Sequence, residues 1–296
     1  MSRGALYALL AYILWGLFPL YFRELAGVGA LEIVLHRIAW SLVFLLALLA
    51  WLHRWQWLAP LARRPRVLVA ATLSALLLAG NWTLYVWAVM NGRVLDASLG
   101  YFINPLVNVL LGALVLHERL RPAQWAAVAL AAAGVAWLAL RGPQWPWIGV
   151  AIALSFGLYG LLRKTAALGA IEGLTLETML LAPLAMAWLG WWTWQGTGGL
   201  AGHDGATLAW LVGVGPLTAV PLLLFAAGAR RITMATLGLL QYVSPTLQLL
   251  LGVWLFNEPL AGARLAGFGL IWIALVVYSV EGWVSSRPGA AARQRA

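Results

Sequence analysis

The sequence has no cysteine and very few charged residues. Only 9% of its 296 residues are charged and 63% are hydrophobic, whereas a soluble domain has about 25% charged residues. Without cysteine the chain can form no disulfide, no thiolate nucleophile and no thiolate metal site. Its four histidines lie in separate segments without the spacing of a zinc site. We therefore expect no catalytic residue, no metal site and no cofactor, and we rank a membrane-embedded enzyme behind the other classes of function.

The apolar residues form long runs that are separated by short polar clusters. Each run has about 20 residues, the length that crosses a hydrocarbon core as a helix, and none shows the period-two alternation of a barrel strand. We therefore predict an all-α fold, a polytopic membrane protein with ten transmembrane helices. The predicted spans are 4–22, 30–52, 67–90, 97–116, 123–140, 147–162, 174–194, 207–229, 235–256 and 262–283.

The positive charge is unevenly distributed between the two ends of these spans. With the N-terminus in the cytoplasm, fourteen arginine and lysine residues lie on the cytoplasmic side and only four on the other, namely Arg23, Arg93, Arg141 and Arg264. This asymmetry follows the positive-inside rule and predicts that both termini are cytoplasmic. It also explains the net charge of +10 by contact with the lipid bilayer. We therefore expect no nucleic-acid partner.

Two polar segments, 98–121 and 237–258, repeat the same design about 140 residues apart. Residues 15–18 and 156–159 resemble each other at nearly the same offset. Five predicted spans lie in each half, so the second half has the inverted topology of the first, as in many transporters. We predict a first five-helix repeat at 1–141, a second at 142–284 and a basic disordered tail at 285–296. The best-matched pairs are Pro105 with Pro245, Gly112 with Gly252 and Glu118 with Glu258.

The repeated segments place polar side chains at the spacing i, i+3, i+7, which is one face of a helix. Pro105 and Pro245 each remove a backbone hydrogen bond beside them, so we predict helix breaks at both. Polar groups at membrane depth need a partner, either a wet cavity or a neighbouring helix; of these two interpretations we favour the cavity. The residues are Tyr101, Asn104 and Asn108 in the first segment and Gln241, Ser244 and Gln248 in the second.

Other polar and aromatic residues extend this predicted cavity. Tyr12 and Trp15 share a face of the first span, Asn81 and Tyr85 lie deep in the third, and Tyr159 lies in the sixth. An amide near the middle of a span needs a partner, which makes Asn81 the strongest of them. The Gly- and Ala-rich fifth and tenth spans predict close helix packing or a homodimer contact.

Three charged residues within or beside the spans are candidates for a gate or an ion pair. Arg37 lies inside the second span and needs a partner, for which Asp96 is the best candidate. Glu177, near the start of the seventh span, is expected to pair with one of the neighbouring cations, Arg163, Lys164 or Arg230. Glu118 and Glu258, in contrast, are interpreted as interfacial residues at helix ends.

The sequence resembles the EamA-type transporters of the drug/metabolite transporter superfamily over residues 1–283. The resemblance rests on residues 100–105 and 240–248, and His36-Arg37 with Asn81-Trp82 narrows it to the RarD subfamily. It implies a plasma-membrane exporter of metabolites or drugs, with a cavity formed by spans one, three, four, six, eight and nine. Carried over by position, it implicates Trp15, Asn81, Asn104, Tyr159 and Gln241.

We therefore expect a secondary transporter of a small amphipathic or aromatic molecule that works by alternating access. The sequence leaves open whether a proton or a counter-substrate is coupled to transport. A channel or facilitative pore is the alternative.

Overall fold

The computed structural model describes residues 2–91, 93–140, 147–255 and 262–285, and within these ranges the chain is helical, with no β-strand. The predicted all-α class is therefore confirmed. Two short 3-10 helices lie at Arg23–Leu25 and Leu61–Arg63. The α-helices are α1 (Arg3–Phe22), α2 (Ala30–Trp51), α3 (Pro65–Met90), α4 (Val94–Leu114), α5 (Pro122–Leu140), α6 (Trp147–Thr165), α7 (Ala170–Gln195), α8 (Gly205–Ala229), α9 (Met234–Gln241), α10 (Val243–Trp254) and α11 (Gly262–Ser285).

Eight segments of the described chain are long and apolar enough to cross a membrane. They are α1, α2, α3, α5, α6, α7, α8 and Met234–Leu251, which joins α9 to most of α10. Helices α4 and α11 contain shorter apolar segments, Leu99–Leu114 and Leu265–Glu281. The chain is therefore a multi-pass membrane protein, whereas the count of ten spans stays a prediction.

Local side chains account for several helix ends. Ser2, Asp204 and Thr233 precede α1, α8 and α9, and each side-chain oxygen accepts a hydrogen bond from the backbone N–H three residues later. Such N-caps satisfy donors that the first turn of a helix leaves free. Helix α7 ends at Gly196, whose φ of 69° is left-handed and favours glycine.

The two prolines of the repeated segments affect their helices differently. The ninth predicted span is divided into α9 and α10 at Tyr242, three residues before Pro245, because Pro245 cannot donate to the carbonyl of Gln241. Helix α4, in contrast, continues through Pro105, so the predicted break at that proline is not observed. A proline is tolerated inside a membrane helix when neighbouring helices hold it, and α4 packs between α6 and α9.

The helices pack mainly across the two halves of the chain. Helix α1 packs against α8, α9 and α10, while α6 packs against α3 and α4. Helix α2 packs against α7 and α8, and α5 packs against α11. The largest core cluster lies where α1, α6, α8 and α9 meet, with Tyr12, Tyr159, Phe225 and Leu237 fully buried.

A glycine allows the closest approach of the two central helices. A Cβ atom added at Gly238 of α9 would lie 2.5 Å from the backbone oxygen of Pro105 in α4. We predict that Gly238→Ala destabilises the protein by about 1–3 kcal/mol, because a backbone oxygen cannot move aside as a side chain can. The melting temperature of the purified protein in detergent measures this effect.

Gly80→Ala is the matched control for this substitution. Gly80 lies in α3, and no atom is within 4 Å of its added Cβ. Alanine also favours helix over glycine, so we expect this variant to melt no lower than the wild type. Equal losses in the two variants would contradict the close contact between α4 and α9.

Candidate functional site

A cavity of about 230 Å³ lies among α1, α2, α3, α4, α6, α8, α9 and α10. It extends from the middle of the helices to the end of the bundle where α2 follows α1. This volume suits a small molecule rather than a drug-sized one, whose pockets are about 300–1,000 Å³. Its wall consists of Tyr12, Trp15, Phe18, Pro19, Phe22, Val34, Arg37, Asn81, Trp82, Tyr85, Gly100, Tyr101, Asn104, Ile152, Phe156, Leu222, Gln241, Ser244, Pro245 and Gln248.

The structure brings most of the predicted cavity residues onto this one wall. Asn108 and Tyr159 are the two exceptions among the predicted residues, because neither lies on the wall. Both are fully buried behind it. The predicted residues on the wall are Tyr12, Trp15, Asn81, Tyr85, Tyr101, Asn104, Gln241, Ser244 and Gln248.

Three amides connect the two halves of the chain at the bottom of the cavity. Asn108 Nδ2 donates to Asn104 Oδ1 at 3.0 Å and to Gln241 Oε1 at 3.1 Å. Asn104 Nδ2 in turn donates to the carbonyl of Ala153 in α6 at 2.7 Å. The same residues therefore line the cavity and join helices, so the two interpretations of the polar face do not exclude each other.

Two further amides bond to backbone carbonyls at the wall. Gln248 Nε2 donates to the carbonyl of Trp15 at 3.2 Å. That carbonyl has no intrahelical donor, because the residue four positions later is Pro19. Asn81 Nδ2 donates to the carbonyl of Ile152 at 2.8 Å and to Ser155 Oγ at 2.9 Å. Each amide therefore has the partner that membrane depth requires.

Aromatic rings surround the deep end of the cavity. Trp15 lies 5.7 Å from Phe156 and 5.6 Å from Phe225 between ring centroids. Tyr159 stacks on Phe225 at 6.1 Å, one layer behind the wall. Phe156, and not Tyr159, is therefore the aromatic residue that α6 contributes to the wall.

Arg37 reaches the cavity without a carboxylate partner among the described side chains. Its Nε donates to Thr218 Oγ1 at 3.0 Å, and its guanidinium carbon lies 4.5 Å from the centroid of the Trp82 ring. The side chain of Asp96 is outside the described part of the chain, so the expected pair with Arg37 stays a prediction. Glu32, on the same helix as Arg37, bonds instead to His203 at 2.9 Å.

Glu177 forms the expected ion pair, and the partner is Arg163. The pair is 3.2 Å long, and both side chains are 2% exposed. Ser74 Oγ donates to the same carboxylate oxygen at 2.7 Å. Gly173 leaves room for the guanidinium, since a Cβ there would lie 2.0 Å from Nη1 of Arg163. Glu177 also lines a small second cavity whose wall includes Arg37 and Trp82.

The end of the bundle opposite the cavity mouth is closed by charged residues. Glu118 Oε1 accepts a hydrogen bond from the N–H of Met234 at 2.8 Å, at the first turn of α9. Lys164 Nζ lies 3.8 Å from this carboxylate and donates to the carbonyl of Ala229 at 3.1 Å. Glu118 therefore caps a helix of the other half and is more than an interfacial end residue; Glu258 is outside the described ranges.

Known proteins with similar sequences identify the family. The profile of the EamA-like transporter family matches residues 2–140. An uncharacterized transporter of Pseudomonas aeruginosa is 49% identical over 97% of this chain and 96% of its own length. Protein RarD of Streptomyces exfoliatus is 44% identical over 99% and 92% of the two chains, and protein RarD of Escherichia coli is 40% identical over 96% of each. The chain belongs to the RarD group of EamA-type transporters.

A solved crystal structure supports the fold of this RarD-type protein. It is 22% identical in sequence, has a TM-score of 0.69 and covers 94% of this chain and 98% of its own. At that identity the likeness concerns the fold alone. Family membership confirms the resemblance noted in the sequence and makes the chain a membrane transporter, which favours transport over catalysis.

Sequence reasoning missed several wall residues of this RarD-type cavity, although signals for them existed. Phe18 and Phe22 follow Trp15 at i+3 and i+7, which places them on the same face of α1. Phe156 is the counterpart of Trp15 in the repeated segment 156–159. Thr218, the partner of Arg37, carried no signal, because a lone threonine in an apolar helix is common.

Asn108 is predicted to stabilise the contact between the halves. Asn108→Leu removes the donor of two hydrogen bonds, so that Asn104 Oδ1 and Gln241 Oε1 lose the bonds they accept from Asn108. An unsatisfied buried acceptor costs about 1–3 kcal/mol, so we expect a clearly lower melting temperature. Asn91→Leu is the matched control, because Asn91 is exposed and its amide bonds only to the carbonyl of Trp87. Equal melting of both variants and wild type would contradict the role of Asn108.

Proposed function

We propose that this RarD-type protein is a secondary transporter that moves a small amphipathic or aromatic molecule across the plasma membrane by alternating access. The observation that carries the proposal is one cavity that residues from both halves of the chain line together. Its wall is polar and aromatic, its mouth lies at one end, and packed residues close the other end. Trp15, Asn81 and Asn104 represent the first half, and Phe156 and Gln241 the second. Binding sites between inverted repeats have this arrangement.

Equivalent helix contacts support the division into two inverted five-helix halves. Under that division α6 corresponds to α1, and α9 with α10 corresponds to α4. The contact of α1 with α9 and α10 then matches that of α6 with α4, and the contact of α1 with α8 matches that of α6 with α3. On this basis we propose that the chain has ten spans in two inverted repeats, 1–141 and 142–284.

The charge distribution supports an orientation for this cavity. With both termini in the cytoplasm, the end that holds Glu118 and Lys164 is cytoplasmic and the mouth beside Phe22 faces outward. The structure then corresponds to an outward-facing state. An exporter would load its substrate after the contacts of Glu118 and Lys164 open, and it would release the substrate from the state described here.

Coupling of transport to a proton requires a titratable side chain near the cavity. No carboxylate occurs on the described wall, which supports facilitated transport or exchange with a counter-substrate. A flux that follows an imposed pH gradient would instead identify a coupling proton. Glu177, on the wall of the second cavity, is the first carboxylate to substitute in that case. Unitary currents in a planar bilayer would favour a channel over a carrier.

Filling the cavity is predicted to stop transport. Ser244 lies on the wall and forms no side-chain hydrogen bond among the described residues. Ser244→Phe places a ring inside a space of about 230 Å³. We expect the substrate flux of the variant to be at least about tenfold lower than that of the wild type, and a factor of ten corresponds to about 1.4 kcal/mol. Metabolite profiling of medium from overexpressing and deletion cells identifies the substrate, and exchange in proteoliposomes measures the flux.

Val69→Phe is the matched control, since Val69 is exposed on the outer face of α3 and away from the cavity. It should reach the membrane in equal amount and transport like the wild type. Unchanged flux in Ser244→Phe, at equal expression, would show that this cavity is not the transport site.

Thiol labelling tests the orientation and the closed end, because the chain has no cysteine of its own. We expect Ser244→Cys to react with an impermeant maleimide added outside, and fully buried Leu237→Cys to react slowly from the cytoplasmic side. Adding Glu118→Ala to Leu237→Cys removes a helix cap worth about 1 kcal/mol and should raise its labelling about fivefold.

Glu24→Ala is the control for this substitution, because Glu24 is exposed and pairs only with Arg23. It should leave the labelling of Leu237→Cys unchanged. Labelling of Ser244→Cys only from the cytoplasmic side would reverse the proposed orientation.

A further inference from the structure

Arg37 is the only charged residue on the described wall of the cavity. It comes from α2, whereas the aromatic residues Trp15 and Phe156 come from α1 and α6. A cation inside a membrane protein costs about 2.5–3.5 kcal/mol at the centre of a span. A charge of this kind is retained where a partner or a function offsets the cost.

The contacts of Arg37 fix its guanidinium and leave part of it free. Thr218 occupies Nε, and the Trp82 ring covers one face at 4.5 Å. Neither Nη atom has a hydrogen-bond partner among the described residues. These two nitrogens belong to the fork that binds a carboxylate through two parallel hydrogen bonds.

Two described carboxylates, one on the same helix as Arg37 and one on the wall of the second cavity, have other partners. Glu32 accepts hydrogen bonds from His203 and from the backbone N–H of Gly199. Glu177 pairs with Arg163 and accepts a hydrogen bond from Ser74. No described side chain therefore supplies the negative charge that Arg37 lacks.

We propose that the transported molecule is an organic anion whose carboxylate, or a comparable planar acid group, binds the two Nη atoms of Arg37. This inference rests on the proposed transport function and deepens it by naming the substrate class. The apolar part of the molecule packs against Trp15 and Phe156 at the deep end of the cavity, and Trp82 holds the guanidinium flat. The substrate then supplies the missing counter-charge in a desolvated site.

The dimensions of the cavity narrow this class further. About 230 Å³ accommodates one ring and a short acidic chain rather than a polycyclic molecule. Tyr85 and Tyr101 lie 6.0 Å apart between ring centroids, on the same wall as Arg37. Their hydroxyl groups can donate to an acid group bound there. The structure therefore favours a monocyclic or short-chain organic acid.

Three probes of nearly equal shape test the charge preference directly. They are 3-phenylpropionate, 3-phenylpropionamide and 3-phenylpropylamine, titrated into the full-length protein in lipid nanodiscs by calorimetry. We expect the acid to bind at least tenfold more tightly than the amide, which is about 1.4 kcal/mol, and the amine not to bind. Equal affinity for acid and amide, preference for the amine, or binding of none of the three would overturn the proposal.

Variants then assign the preference to one residue. Arg37→Gln should lower the affinity for the acid at least tenfold and leave that for the amide unchanged, while Arg37→Lys should keep part of the preference without the planar fork. Arg23→Gln, the same change at an exposed arginine on the same end of the bundle, should bind like the wild type. A preference for the acid that persists in Arg37→Gln would overturn the assignment.

The probes also separate this inference from the transport function. A neutral or cationic substrate whose flux is lost in Ser244→Phe would refute the anion class and keep the transporter. If no substrate flux depends on the cavity but the acid still binds at Arg37, the transport function is refuted and the binding site is kept. If Arg37→Gln does not fold, the comparison of the three probes on the wild type still decides the charge preference.

Discussion

The hydrogen bonds among Asn104, Asn108 and Gln241 are the contact on which the rest of the structure depends. Water is absent from the hydrocarbon core, so each amide at that depth has to find its partner within the protein. The partners here belong to opposite halves of the chain. These bonds bring α4 to α9 closely enough that only glycine fits at position 238, and the cavity begins directly beside them.

The same constraint explains three ways in which charged side chains inside the helix bundle find partners. Arg163 and Glu177 neutralise each other, and the hydroxyl of Ser74 donates a further hydrogen bond to the Glu177 carboxylate. Glu118 binds the free N–H groups at the start of α9, where the helix dipole also favours an anion. Arg37 contacts the ring of Trp82 and the hydroxyl of Thr218, and no carboxylate pairs with it among the described side chains. The first two arrangements satisfy the charge within the protein, whereas in our proposal the third is completed by the anionic group of the transported molecule.

Much of this organisation could be predicted from the sequence, because apolar length and amide spacing are local properties. The helical class follows from the length of the apolar runs, and wall residues such as Tyr101, Asn104 and Gln241 follow from the position of polar side chains within those runs. The contrast between α4 and the divided α9–α10 could not be predicted, since both contain a proline at the same place and the difference lies in how neighbouring helices pack. The depth of Arg163 was equally hidden: a basic residue at a helix end resembles an interfacial residue unless the glycine opposite it, Gly173, is known.

The contrast between a continuous α4 and a divided α9–α10 has a consequence for the transport cycle of a carrier with inverted halves. Exchanging the conformations of the two halves converts one facing state into the other. The helix with Pro105 would then be divided, and the span with Pro245 would become one continuous helix. Two prolines of identical chemistry would thus act as alternating joints, and the shape of each would record which side of the membrane the protein faces.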